Sequence, residues 1–222
     1  MNIIVRINSE LVIVGRFNAG IKLAEGKYAA CICNDFIFTV NWLDNLLKPI
    51  ESDESIGFVS PGANIVSNYQ QINSNYNTIV DLEKFAENYN VSVPKKREKR
   101  IRLLACVLMC KIELFKNIVG YDSRFYFGDF ADDDISFRIR RAGCKLIYAR
   151  DTFVHHFGSV TVKEDHIEYN SLEISRKNFI DIGINATIYN SNLEDNAVVF
   201  VNDSGETNVK FKLEPWSKQW FV

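Results

Sequence analysis

Apolar and polar positions along this chain fall into two rhythms that alternate. Short, nearly unbroken apolar runs at 28–33, 56–59 and 103–110 read as strands buried on both faces, and the β-branched stretch 2–7 is also strand-like. Between them, apolar residues recur at helical spacing. Trp42, Leu43, Leu46 and Leu47 mark a helix over 41–50 with Asn41 as its cap. A second helix is expected over 81–89, and a third over 111–119, with Leu114, Phe115 and Ile118 inward and Gly120 as its stop. Asn18 is placed to cap a short helix running through Leu23, Ala24 and Glu25 to Gly26. Ile135, Ile139 and Ala142 share one face of a further helix that opens on Asp132, Asp133 and Asp134 and stops at Gly143. Beyond residue 161 the pattern predicts a helix over 166–182, then two alternating runs, 197–201 and 208–213, around Asp203, Ser204 and Gly205 as a hairpin. The aromatic end, Trp216, Trp220 and Phe221, is expected to pack back on the domain, with docking to another protein as the alternative. This alternation predicts an α/β fold with a mainly parallel, Rossmann-like sheet flanked by helices. The domain would occupy 1–162, with a helix and hairpin extension over 163–222.

Composition narrows the class. With 222 residues and 47% hydrophobic content, the chain is large enough for one domain with a small appendage. The formal net charge of −2, with both signs interspersed, gives no nucleic-acid footprint. The basic run 94–102 reads as a solvated loop, with contact to phosphate or an anionic membrane surface as the minority reading. Cys31, Cys33, Cys106, Cys110 and Cys144 are odd in number and lack zinc-site spacing, so reduced thiols are expected. No apolar run reaches the length of a membrane span and no signal peptide is evident, which sets the expectation of a soluble, cytoplasmic protein.

Candidate chemistry concentrates in three places. Asp35 follows the buried run 28–33, and the C-terminal ends of strands are where open α/β sheets bind ligands. The stretch 63–78 is rich in Asn, Gln, Ser and Tyr; it is ordinary polar surface or a surface for hydrogen bonding and stacking sugars. The stretch 120–161 presents carboxylates at a helix start after an aromatic, glycine-containing run, and then His155 and His156.

In order and spacing, these residues resemble a family 2 glycosyltransferase of the GT-A fold. The resemblance runs from Gly15 to about Thr161: Asn18-Ala19-Gly20-Ile21 with Ala24-Glu25-Gly26; Cys33-Asn34-Asp35; Trp42-Leu43; Ser60-Pro61-Gly62-Ala63-Asn64 with Gln70; Gly120-Tyr121-Asp122; Gly128-Asp129-Phe130-Ala131-Asp132-Asp133-Asp134 with Arg138; and His156-Phe157-Gly158-Ser159. The resemblance implies transfer of a sugar from a nucleotide-sugar donor to a saccharide or lipid-linked acceptor hydroxyl, inverting and dependent on Mg²⁺ or Mn²⁺. It implies Asp132 as general base, Asp35 and His156 as metal ligands, and Asn18, Gly20, Asn34 and Asp35 on the donor. Trp42, Asn64, Gln70, Asp129 and Phe130 are implied on the acceptor, in polysaccharide biosynthesis. Asp134 is expected to pair with Arg138, four residues on.

The chain departs from the family pattern at three points. Cys33 stands where the first acid of the metal motif is usual, and Ala131 where a second acid precedes the base. The family's N-terminal nucleotide-binding strands have no counterpart, which leaves the strand at 28–33 with an open edge and predicts a homo-oligomer or a partner chain. The competing expectation is a catalytically degenerate module that binds carbohydrate or a partner chain without turnover.

Overall fold

The computed structural model describes residues 13–158, 169–181, 186–190, 196–201 and 207–212. The expected strand at 2–7, the stretch 159–168, the turn at Asp203, Ser204 and Gly205, and the tail from Trp216 lie outside the described residues. In chain order the elements are helix α1 (Ile13–Leu23), strands β1 (Tyr28–Ile32) and β2 (Phe36–Ile37), helix α2 (Trp42–Ser52), strand β3 (Ile56–Ala63) and helix α3 (Ile79–Tyr89). Strands β4 (Arg97–Arg100) and β5 (Val107–Lys111), helices α4 (Ile112–Asn117) and α5 (Ala131–Arg141), and strand β6 (Lys145–His156) follow. Helix α6 (Ser171–Asp181) and strands β7 (Ala186–Asn190), β8 (Asn196–Val201) and β9 (Thr207–Lys212) complete the described chain.

The first six strands form one sheet in the order β1-β5-β3-β6-β2, with β4 also on β6. Only β3 and β6 run parallel; β5 is antiparallel to both β1 and β3, and β2 and β4 are antiparallel to β6. The sheet is therefore mostly antiparallel, which corrects the mainly parallel expectation. The reason is burial. A strand covered on both faces is apolar throughout whichever way its neighbours run, so the runs at 28–33 and 103–110 carried burial and not direction.

Helices cover both faces. Leu108 and Cys110 of β5 pack with Phe115 of α4 and with Ile135 and Ile139 of α5. Val107 and Met109 point the other way, into a cluster with Leu46 and Ile50 of α2. Phe58 and Val59 of β3 divide in the same manner. Each fully buried Leu, Ile or Phe contributes about 1.5–3 kcal/mol. A third cluster, Ile72, Leu82 and Phe153, seats α3.

Strand β6 organises the sheet. Its residues Lys145–Ala149 pair with the first part of β3, and Phe153 and Val154 with its end; between Pro61↔Ala149 and Gly62↔Phe153, residues 150–152 stand opposite a single step of β3. Asp151 in this bulge is fully buried and accepts from Val93 N at 2.8 Å and Arg97 Nε at 3.3 Å. Ile147 and Ala149 face the α2 cluster before the bulge, and Val154 does so after it.

Several local expectations change. The basic run is not a loop: a short 3₁₀ turn, Pro94–Lys96, leads into β4, an edge strand whose charge suits a sheet border. Two of its cations have partners on the protein, Arg97 on Asp151 and Arg100 on Glu98 at 2.7 Å, with Arg100 also 5.0 Å over the Tyr148 ring. Asn41 precedes α2 with left-handed backbone and makes no side-chain cap. Asn18 lies inside α1 and does not cap it. Thr78, unmarked in the sequence reading, caps α3 by accepting from Asp81 N at 3.1 Å. The expected hairpin is present as β8 and β9, antiparallel, and β7 adds a third strand to that separate sheet. All five cysteines are free thiols.

Candidate active site

The C-terminal end of β1 and the two ends of β2 bring the first pair of groups together. Phe36 pairs with His156 across β2 and β6, so the residue before β2, Asp35, meets the last residue of β6. Asp35 Oδ2 lies 3.0 Å from His156 Nε2, and the Asp35 carbonyl accepts from Phe157 N at 3.0 Å. Of the two adjacent histidines, His156 is the one that faces Asp35; His155 turns to Tyr76, 2.5 Å from its hydroxyl.

His156 is held on every side. Its ring stacks on Phe36 at 4.4 Å with an interplanar angle of 11°, and its Nδ1 lies 2.5 Å from the Ile65 carbonyl. The Asn64 amide grips its backbone, accepting from His156 N at 2.7 Å and donating to His156 O at 3.0 Å. This continues the β3–β6 ladder beyond Ala63↔Val154 with a side chain in place of a strand. A carbonyl can only accept, so Nδ1 carries the proton and Nε2 turns its lone pair to the Asp35 carboxylate in the neutral ring. Two electron-rich atoms 3.0 Å apart require a proton or a cation there. An imidazole fixed through Nδ1 to a carbonyl, beside a carboxylate, is the arrangement of a metal ligand with its outer support. The side chains are 33% and 8% exposed for Asp35 and His156, so the carboxylate side is open to a ligand. The two side chains could hold a divalent ion only with further ligands from outside the described residues, and an imidazole suits Mn²⁺ better than Mg²⁺. Among the described residues no group of three or more His, Cys, Asp or Glu converges on one point.

The second carboxylate comes from α5. Asp132 lies in its first turn, and its Oδ1 accepts from Ala105 N at 3.1 Å, just before β5. Burial pushes Asp132 up to about 6; the Arg102 guanidinium opposes this, and the carboxylates of Asp133 and Asp129 reinforce it. Its neighbours are committed elsewhere. Asp133 pairs with Arg102 Nε at 2.6 Å, and buried Asp134 pairs with Arg138, as the spacing implied. Cys106 links the two halves. Its thiol is raised well above its ordinary value by a hydrogen bond with Cys33, by burial, and by the charges of both Asp132 and Asp35. The backbone links the carboxylates as well: Ala105, which holds Asp132, precedes Cys106, and Cys33, which pairs with Cys106, lies two residues before Asp35. Cys33, at the position of the expected first acid, is spent on Cys106, also through Cys33 N to Cys106 O at 3.0 Å.

The remaining sequence-derived residues divide by what they touch. Asn18 donates to Tyr121 O and accepts from Tyr121 N, both at 2.8 Å, so its amide ties α1 to the loop before α5. A Cβ on Gly120, whose φ is +69°, would fall on Asn18 Oδ1, which explains the glycine there. Gln70 is buried with all four amide positions used, by Ser60, Pro61, Leu104 and Asn68, and it braces the sheet without facing a ligand. Asn64 serves His156, as described. Asp129 accepts from Ser171 Oγ at 3.0 Å, and the Phe130 ring lies 5.3 Å from Phe179, so both fasten the start of α5 to α6. Trp42 packs on Phe38 at 4.2 Å and is partly exposed. Gly20 is partly exposed on α1, and Asn34 is exposed beside Asp35. Sequence reasoning missed Phe36, Ile65, Cys106 and Arg102. Only Phe36, adjacent to Asp35, carried a signal.

The sequence matches no protein-family model and no curated protein. By structure the chain is similar to GalNAc-T7, solved with UDP, GalNAc and Mn²⁺, with 14% identity and a TM-score of 0.53 over 82% of this chain. The chain spans 39% of that protein's length. The catalytic domain of Drosophila beta1,4-galactosyltransferase 7, solved with xylobiose, superposes at a TM-score of 0.42 with 18% identity, over 90% of this chain and 73% of that one. The second likeness is too loose to bear on the fold. The first makes the fold GT-A-like, the fold of these glycosyltransferases.

Proposed function

We propose that the chain is a metal-assisted glycosyltransferase, similar to family 2, that moves a sugar from a nucleoside-diphosphate donor to a hydroxyl of a saccharide or lipid-linked acceptor. The observation that carries this reading is that the backbone contacts of Ala105 with Asp132 and of Cys106 with Cys33 bring Asp132 and the Asp35–His156 pair to the same end of β1 and β5 in a GT-A-like fold. Asp35 and His156 would hold the divalent ion, and when bound it would offset charge on the leaving diphosphate. Asp132 keeps one oxygen on Ala105 N, while the other makes no hydrogen bond among the described residues and is available to the acceptor. Raised to about 6, the carboxylate is ionised at neutral pH yet basic enough to take a proton. The acceptor oxygen bonds to the anomeric carbon as the bond to the diphosphate oxygen breaks. The diphosphate leaves with the electron pair, and Asp132 receives the hydroxyl proton. One base and direct displacement give inversion.

The test is calorimetric titration with UDP and other nucleoside diphosphates, with and without Mn²⁺ or Mg²⁺. Metal-dependent binding lost in Asp35→Ala supports the donor site, and turnover lost in Asp132→Asn with binding retained supports the base. Wild-type turnover in Asp132→Asn would overturn the base assignment. A second reading, binding without turnover, is favoured by the Cys33–Cys106 contact and by Ala131, buried where a second acid would stand. It predicts donor binding with neither transfer nor donor hydrolysis.

A further inference from the structure

The amide-rich stretch between β3 and α3 contains two populations. Asn64, Asn68 and Gln70 spend their amides inside the protein, on His156, Arg102 O and the Leu104 backbone among others. Gln71 and Asn73 do not. Both are exposed, and neither amide makes a hydrogen bond among the described residues. Both also line one open depression, together with Asn64, Ser74, Tyr76 and His155.

We propose that this depression is a binding site for a neutral saccharide. Its lining contains no Asp, Glu, Lys or Arg. A phosphate or sulfate would find no cation there, and a metal ion no carboxylate. The unspent amides instead present donors and an acceptor side by side, the complement of adjacent hydroxyls that both donate and accept. The aromatic floor is rigid. Tyr76 is braced by Phe85 at 6.0 Å and Phe153 at 6.1 Å, and its hydroxyl is tied to His155 Nδ1. The Tyr76 and His155 rings line the depression with Gln71 and Asn73, so ring surface for the C–H face of a sugar shares one hollow with the free amides; Phe157, 59% exposed, stands edge-on to His155 at 4.8 Å.

The wall of the depression also belongs to the candidate active site. Asn64 lines it and grips the His156 backbone, and His155 and His156 point to opposite faces of β6. A saccharide held here lies on the other face of β6 from the Asp35–His156 pair and is linked to it through Asn64. That this glycan is the acceptor of a transferase rests on the function proposed above; that the depression binds one does not.

The test is titration of the full chain with neutral gluco-, manno-, galacto- and xylo-oligosaccharides, without nucleotide or metal, beside a sulfated heparin oligosaccharide. At least one neutral series should bind saturably and the heparin oligosaccharide should not. The double variant Gln71→Ala, Asn73→Ala should weaken that binding about tenfold or more, since it removes at least two hydrogen bonds. Both positions are exposed, so its Tm should match wild type, and so should its titration with UDP and Mn²⁺. Wild-type affinity in the double variant, no binding of any neutral series, or preference for the heparin oligosaccharide would overturn the proposal. If neutral oligosaccharides bind and UDP does not, the transferase reading fails and this site stands.

Discussion

Replacing Asn64 with alanine removes two hydrogen bonds from the backbone of one residue, 2.7 Å to His156 N and 3.0 Å to His156 O. His156 is only 6% exposed, so water replaces those partners poorly. Each net hydrogen bond is worth about 1 kcal/mol, and a stranded buried donor or acceptor costs more, so the expected loss is about 2–3 kcal/mol. For a chain of this size that lowers Tm by about 4–12 °C. The change also frees the end of β6, where His156 meets Asp35, and loss of such outer support weakens metal affinity about 10–100-fold. Thermal unfolding and titration with Mn²⁺ and UDP, run on the same preparation, measure the two effects separately. A Tm within about 1 °C of wild type would refute the clamp, because even one lost bond of this kind exceeds that shift. A lowered Tm with unchanged metal-dependent UDP affinity would refute the link between the clamp and the site.

Two further predictions concern α5. Burial raises Asp132 from 3.8 to about 6, so the folded chain binds this proton more tightly than the unfolded one. Its contribution to stability is complete below the unfolded value and is lost as pH rises through about 6. Urea denaturation across that window should show a downward slope that Asp132→Asn reduces, while transfer activity in the wild type rises over the same range; an unchanged slope would count against the burial account. Arg138→Met strands the Asp134 carboxylate, 2% exposed, and removes the donor to Ile118 O at 2.7 Å and Gly120 O at 2.6 Å. The expected loss is about 3–5 kcal/mol in urea denaturation, and a loss under about 1 kcal/mol would show that the pair is not structurally needed.

The helices and most strands were legible because apolar spacing reports burial, and burial is what Leu46, Ile50, Ile135 and Ile139 achieve. Strand direction was not, since β5 between β1 and β3 is apolar on both faces in either sense. Asp35, His156 and Asp132 stood out in sequence by residue type and position. The asparagines did not separate. Asn18 finds Tyr121 at a sequence distance of 103 residues and Asn64 finds His156 at 92, so no local pattern distinguishes a structural clamp from the unspent amides of Gln71 and Asn73. Arg102 escaped notice for the same reason: its partner, Asp133, lies across the fold.

The bulge at residues 150–152 acts as a counter. Strand residues alternate in facing, so the number of residues between Ala149 and His156 decides which imidazole of the neighbouring pair meets Asp35. Were residues 150–152 drawn into regular strand, His155 would turn to the face that His156 holds, and the ring held by Ile65 and Phe36 would turn toward Tyr76. With the rest of β6 held in place, losing a single residue in this short segment would bring Phe157 to Asp35 and carry His156 to the place of His155.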